Sequence, residues 1–170
     1  MGTKIDAGTA MPELELPLVG GGTAQIGGAR DGWQLVVVYR GKHCPKCKQY
    51  LATLERLQDA VAEVAALVTV SCDPEEKAVA DVAEQGWTFS VAYGLTPEQA
   101  RTLGLYVSAP RSPQETDRPF AEPGVFAVNP AGQVQVVDIS NAPFSRPDLE
   151  GLVNGLKFIQ ANDYPIRGTL

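Results

Sequence analysis

The sequence predicts an α/β fold, a central mixed sheet flanked by helices, and three observations predict it. Gln34 to Tyr39 (QLVVVY) is an unbroken apolar, mostly β-branched run of the kind buried on both faces of a sheet. Tyr50, Leu54, Leu57, Val61 and Val64 then recur at spacings of 4, 3, 4 and 3, the period of an amphipathic helix. A second apolar run, Leu67 to Ser71 (LVTVS), follows directly. Strand, helix and strand in that order form a right-handed crossover with parallel strands. With 170 residues, 44% of them hydrophobic, the chain suits one domain over residues 1–170.

The elements read in order as follows. Leu14 to Val19 and Ala24 to Ile26 flank Gly20-Gly21-Gly22, a peripheral hairpin at the start. The long helix runs from Pro45 to Ala66. Asp73-Pro74-Glu75-Glu76 supplies a cap, a first-turn proline and acidic first-turn residues for a second helix, which Gly86 ends. Thr88 to Val91 is a short strand. Thr96-Pro97-Glu98-Gln99 is a capping box opening a short helix that Gly104 closes. Val107 to Pro123 is a proline-rich loop without periodicity, long enough to suggest a lid. Val125 to Val128, a turn at Asn129-Pro130-Ala131-Gly132, and Gln133 to Ile139 form a hairpin, and Ser145 caps a last helix, Arg146 to Gln160.

Charge narrows the function. Fourteen basic against 20 acidic residues give −6, which argues against nucleic acid or an anionic membrane as partner. Yet Arg40, Lys42, Lys46 and Lys48 cluster without an acidic neighbour, around the only histidine, His43, and two of the three cysteines. Three cysteines do not make a secreted disulfide scaffold. The start, MGTKIDAGTAMPEL, lacks the apolar stretch of a signal peptide, and no segment approaches the ~18 apolar residues of a membrane span. The expectation is a soluble, cytoplasmic protein.

Cys44-Pro45-Lys46-Cys47 lies at the start of the long helix, with Cys44 as N-cap, Pro45 at N1 and Cys47 at N3. Unpaired N–H groups and the positive end of the helix dipole stabilise a thiolate there, as do the surrounding cations. His43, among cations, should have a lowered pKa and is either a neutral proton relay or a passive loop residue. Haem attachment would need histidine where Lys48 stands. Zinc would need a second ligand pair, and only Cys72 and His43 remain, so no metal or organic cofactor is expected. Cys72, after the second strand, reads as a small half-buried residue or as an auxiliary thiol. Trp33, Tyr39, Trp87 and Phe89 read as packing residues, and Tyr106 and Phe120 as candidates to line a pocket.

The segment VYRGKHCPKCKQYL, Val38 to Leu51, resembles the active-site region of the thioredoxin superfamily, specifically peroxiredoxin-like proteins of the alkyl hydroperoxide reductase and thiol-specific antioxidant class. VSCDPEEKAVADVAEQG, EPGVFAVNPAGQVQVVDIS and APFSRPDLEGLVNGLKFIQANDYPIRG extend the similarity over most of the chain. The resemblance implies a thioredoxin-like fold with an N-terminal β extension and a dithiol–disulfide cycle on Cys44 and Cys47. Its substrate would be a peroxide or a disulfide, its reductant an external thiol of thioredoxin or glutathione type, and its assembly a homodimer. In the thioredoxin pattern Cys44 attacks, Cys47 resolves and Lys48 is the lysine that commonly follows. In the peroxiredoxin pattern Arg40 replaces a proline, Cys44 a threonine, and Cys47 stands at the peroxidatic position. Where peroxiredoxins place an arginine before the strand, Glu122-Pro123-Gly124 stands. Pro123 resembles the cis-proline of thioredoxins, which implies a cis Glu122–Pro123 bond, and Arg40, Arg111 or Arg118 is left to supply the missing charge. A non-enzymatic redox switch or a zinc-binding module is the alternative to catalysis.

Overall fold

A computed structural model describes residues 3–170. The five-residue strand β3 (Gln34–Val38) is buried throughout and forms the middle of a five-stranded sheet. On one side it pairs in parallel with β4 (Ala66–Val70), Val36 opposite Val68, and β4 continues to β5 (Val91–Ala92). On the other side it runs antiparallel to β8 (Gly124–Val128), Val36 opposite Phe126, and β8 pairs with β9 (Val134–Ile139). The sheet is therefore mixed. Successive side chains of a strand point to opposite faces. Leu35 and Val37 accordingly pack with Leu51, Leu54, Leu149 and Leu156, while Val36 and Val38 pack with Ile26, Leu103, Phe126 and Val128. Two apolar faces explain why the strand shows no polar alternation.

Helix α1 (Pro45–Ala62) turns Leu51, Leu54 and Val61 to the first face and packs beside α4 (Leu149–Ala161). It ends before the expected Ala66, because β4 recruits that residue: the Ala66 N–H donates to Trp33 O at 2.8 Å and Ala66 pairs with Gln34. Helix α2 (Glu75–Gln85) closes on Gly86 at φ 70°, as expected, but its N-cap is Pro74. Asp73 is drawn elsewhere: its carboxylate accepts the Lys42 N–H at 2.7 Å. Helix α3 (Pro97–Thr102) has the full Thr96–Gln99 capping box. The last helix starts later than expected, because Asp148 and not Ser145 caps it, its carboxylate accepting the Gly151 N–H at 2.7 Å.

The proline-rich loop is tied at both ends by a short antiparallel pair, β6 (Val107–Ser108) with β7 (Phe120–Ala121). From β7 the chain passes through Glu122 and Pro123 into β8. The Glu122–Pro123 bond is trans, against the expectation from thioredoxins; Glu122 N–H donates to Tyr106 O at 2.8 Å, continuing the extended pairing up to the proline.

The first hairpin, β1 (Leu14–Pro17) with β2 (Thr23–Ile26), is not peripheral. Met11, Leu16 and Ile26 are core residues, 2%, 3% and 0% exposed. The arm also reaches both ends of the main sheet. Gly8 N–H donates to Val134 O on β9 at 2.8 Å, and Val19 N–H donates to Val91 O on β5 at 2.9 Å. No described helix is long and apolar enough to cross a membrane.

Candidate active site

Both dithiol residues sit where the spacing placed them, on the first turn of α1 at the carboxyl end of β3, where sites of open α/β sheets lie. Cys44 is the N-cap in extended conformation, Pro45 follows in the first turn, and the Cys44 sulfur accepts the Cys47 N–H at 3.2 Å. The sequence folds this way because a proline at N1 has no N–H to lose and is set for the helical φ. Upstream, Gly41 adopts φ 131° and lies against the Asp73 carboxylate, where a Cβ would come within 2.8 Å of both oxygens. That close approach brings the Lys42 N–H onto Asp73, and the Cys44 N–H donates to Gly41 O at 3.1 Å.

All three cysteines are free thiols. The two of the motif are each 1% exposed, and their electrostatics diverge. The adjacent Cys47 thiol lowers the Cys44 pKa to about 6 against the opposing effect of burial, assisted by the Cys47 N–H and the Arg40 guanidinium. Cys47 shifts strongly the other way, because a thiolate beside Cys44 is disfavoured and the site is buried.

Each sulfur has a guanidinium. Arg40 lies over the Phe120 ring at 4.7 Å, on the Cys44 side, and contacts two carboxylates, Glu122 at 3.2 Å and Glu115 at 3.5 Å. On the other side Arg146 Nη1 approaches Cys47 Sγ at 3.6 Å. The Arg146 guanidinium is held over the Tyr50 ring at 4.2 Å and donates to Pro143 O. Tyr50 is itself fixed by donating to Pro147 O at 2.8 Å. Arg40 was a candidate from sequence. Arg146 was not, since it stands 99 residues from Cys47, and its only signal was a lone arginine within the conspicuous segment APFSRP.

His43 packs on Phe120 at 4.6 Å, and both of its ring nitrogens are buried without a hydrogen-bond partner among the described residues. Burial first and Arg40 second lower its pKa, leaving a neutral imidazole at pH 7. Phe120 is thus a floor beneath two site residues, whereas Tyr106 sits elsewhere, under the Lys4 ammonium at 3.2 Å. Lys42 pairs with Glu84, and the Lys48 charge favours the ionised forms of the α2 carboxylates Asp81 and Glu84. Arg111 binds Glu115 and Arg118 binds Asp117. Pro123 is buried and lies just before β8; its carbonyl accepts the Ser140 N–H at 3.1 Å.

Cys72 is 6% exposed at the edge of a separate cavity of about 490 Å³ lined also by Pro74, Tyr93, Leu95 and Arg118. Burial raises its pKa to about 11, which disfavours its thiolate at neutral pH. Among the described residues no three His, Cys, Asp or Glu side chains gather as metal ligands.

The solved structures most similar in fold include a peroxiredoxin-like protein from Aquifex aeolicus, at 18% identity and TM-score 0.79, covering 93% of this chain and 90% of that one. Peroxidoxin BcpB from Mycobacterium tuberculosis matches at 17% identity and TM-score 0.73, over 91% and 98% of the two chains. AhpC from Mycobacterium bovis matches at 16% identity and TM-score 0.74, over 99% of each. These likenesses establish the thioredoxin-like fold with its N-terminal β extension. No protein of curated function matches the sequence significantly. The family model described as AhpC/TSA matches residues 7–137, a span that holds the sheet through most of β9 and both motif cysteines. On that match the chain belongs to the AhpC/TSA family and is a peroxiredoxin-like thiol oxidoreductase.

Proposed function

We propose that the chain reduces small peroxides by a dithiol cycle in which Cys44 attacks and Cys47 resolves. The carrying observation is the Cys44 sulfur at the N-cap of α1, accepting the Cys47 N–H at 3.2 Å, with its pKa lowered to about 6. At pH 7 such a thiol is roughly nine-tenths thiolate, against a few per cent for an ordinary cysteine. The Cys44 thiolate attacks one peroxide oxygen; the O–O bond breaks, the sulfur becomes a sulfenic acid, and the other oxygen leaves as an alcohol or water after taking a proton. Arg40 favours the charge that gathers there, and the leaving oxygen takes its proton from water, because a neutral His43 is not an acid at pH 7. Cys47 then attacks the Cys44 sulfur, expelling water and forming the Cys44–Cys47 disulfide. Two thiol groups of an external reductant, of thioredoxin or glutathione type, reopen it by exchange and leave as a disulfide. Arg146 favours the thiolate form of Cys47 against its burial. A small oxidant is preferred to a protein disulfide because, in the reduced dithiol that meets the oxidant, neither cysteine residue is more than 1% exposed.

Peroxide consumption with a dithiol reductant, measured beside insulin disulfide reduction, tests the reading. Wild type consumes peroxide, Cys47→Ser completes a single turnover that leaves a sulfenic acid on Cys44, and Cys44→Ser is inactive. Single-turnover activity retained by Cys44→Ser and lost in Cys47→Ser would reverse the roles. Loss of both substrates by wild type would remove the enzymatic reading altogether.

A further inference from the structure

We propose that Glu122 is a positioning residue for Cys44: it acts through Arg40, fixing the guanidinium at the thiolate. This rests on Cys44 being the reactive thiol. An arginine side chain has many rotamers, and one that lowers a thiol pKa must be confined to the few that keep its charge nearby. Arg40 is confined from three directions. Phe120 lies beneath the guanidinium at 4.7 Å, Glu115 Oε1 meets Nη2 at 3.5 Å, and Glu122 Oε2 meets Nε at 3.2 Å. The side chains of Arg40, Glu115 and Glu122 are only 17%, 7% and 6% exposed, so water does not screen these contacts as it would on the surface.

The two carboxylates are not equivalent. Glu115 is shared: it also accepts the Arg111 N–H at 2.7 Å and Arg111 Nε at 3.1 Å. Glu122 is dedicated. Its Oε1 accepts from Ser108 Oγ at 2.7 Å and its N–H is held by Tyr106 O, which leaves Oε2 aimed at Arg40. Glu122 Oε2 and Arg40 Nε, both buried, meet as an ion pair at 3.2 Å without hydrogen-bond geometry, and neither has a hydrogen-bond partner among the described residues. The β6–β7 pair therefore sets Glu122, Glu122 sets Arg40, and Arg40 sets the charge on Cys44. A glutamate that brings negative charge toward a thiolate should on its own oppose ionisation. Positioning and bare charge thus predict opposite signs.

The test uses the full chain with Cys47→Ser and Cys72→Ser, in which Cys44 is the one remaining thiol of three, and follows its ionisation by thiolate ultraviolet absorbance. Positioning predicts that Arg40→Met raises the Cys44 pKa by about one unit or more, the effect of losing an adjacent opposite charge. Glu122→Ala raises it comparably, because the guanidinium is freed. Glu122→Gln, which keeps an oxygen toward Nε, stays near the parent. Glu122→Asp retains the charge but withdraws the oxygen, and it raises the pKa even if the alanine variant does not fold. A lowered pKa in Glu122→Ala and Glu122→Gln, or a Glu122→Asp titration that matches the parent, overturns the proposal. The titration needs no peroxide, so a flat response here leaves the peroxidase reading standing, and a wild type inert toward peroxide leaves this result intact.

Discussion

Asp81 should make the protein more stable in mild acid than at neutral pH. It lies on α2, is 0% exposed, and neither carboxylate oxygen has a hydrogen-bond partner among the described residues. Lys48 on α1 and Lys42 on the loop before Cys44 face it, as do the like charges of Asp73 and Glu84 and the hydroxyl of Tyr39, just after β3. Burial outweighs the two lysines and raises its pKa from 3.8 to about 6. Below pH 3.8 both folded and unfolded chains hold this proton. Between there and pH 6 the unfolded chain has released it while the folded chain keeps it, so the folded state loses stability as pH rises through this window. A shift of about two units corresponds to roughly 3 kcal/mol, lost in full at neutral pH. Asp81→Asn removes the titration. Urea unfolding of wild type and variant, each just above pH 4 and at pH 7.5, gives a double difference in which other ionisations cancel. The expected value is about 2–3 kcal/mol in favour of the variant at the higher pH. A double difference under about 0.5 kcal/mol would show that the carboxylate is hydrated or paired in solution, and the reasoning from burial would fail.

Two further outcomes concern the thiols directly. Alkylation of Cys44 by iodoacetamide should follow its thiolate, rising to half its plateau near pH 6 and staying flat from pH 7 to 8; a midpoint near the ordinary cysteine value would contradict the N-cap assignment. Arg146→Met should slow disulfide closure about tenfold, for a one-unit further rise in the Cys47 pKa, so that Cys44 sulfenic acid accumulates and is captured by dimedone. Unchanged capture would separate the Arg146 contact from the resolving step.

Local chemistry made much of this site legible in the sequence. The buried strand at Gln34–Val38 and the Cys44–Pro45–Cys47 helix start depend on residues next to one another, and both stand as expected. The capping box at Thr96 does too. What was illegible depends on long-range competition. Asp73 has the sequence of a helix cap, but the Lys42 N–H, 31 residues away, takes its carboxylate. Ser145 and Asp148 both suit an N-cap, and only the start of α4 at Leu149 selects between them. Arg146 reaches Cys47 from the opposite end of the chain, and Glu122 meets Arg40 across the sheet end, so neither contact leaves a periodic trace in the sequence.

The N-terminal arm bears on how these molecules behave toward one another. A sheet that ends in β5 on one side and β9 on the other exposes two rows of unpaired N–H and C=O groups, each a template for a strand from another molecule. The arm occupies both. Residues around Gly8 and Thr9 bond to β9 through Val134, and Pro17 and Val19 bond to β5 and its flank through Tyr93 and Val91. One N-terminal arm thereby caps both edges, the segment before the hairpin at β9 and the hairpin at β5, so the residues before Gln34 act as a guard against edge-to-edge aggregation, a role independent of the thiol chemistry.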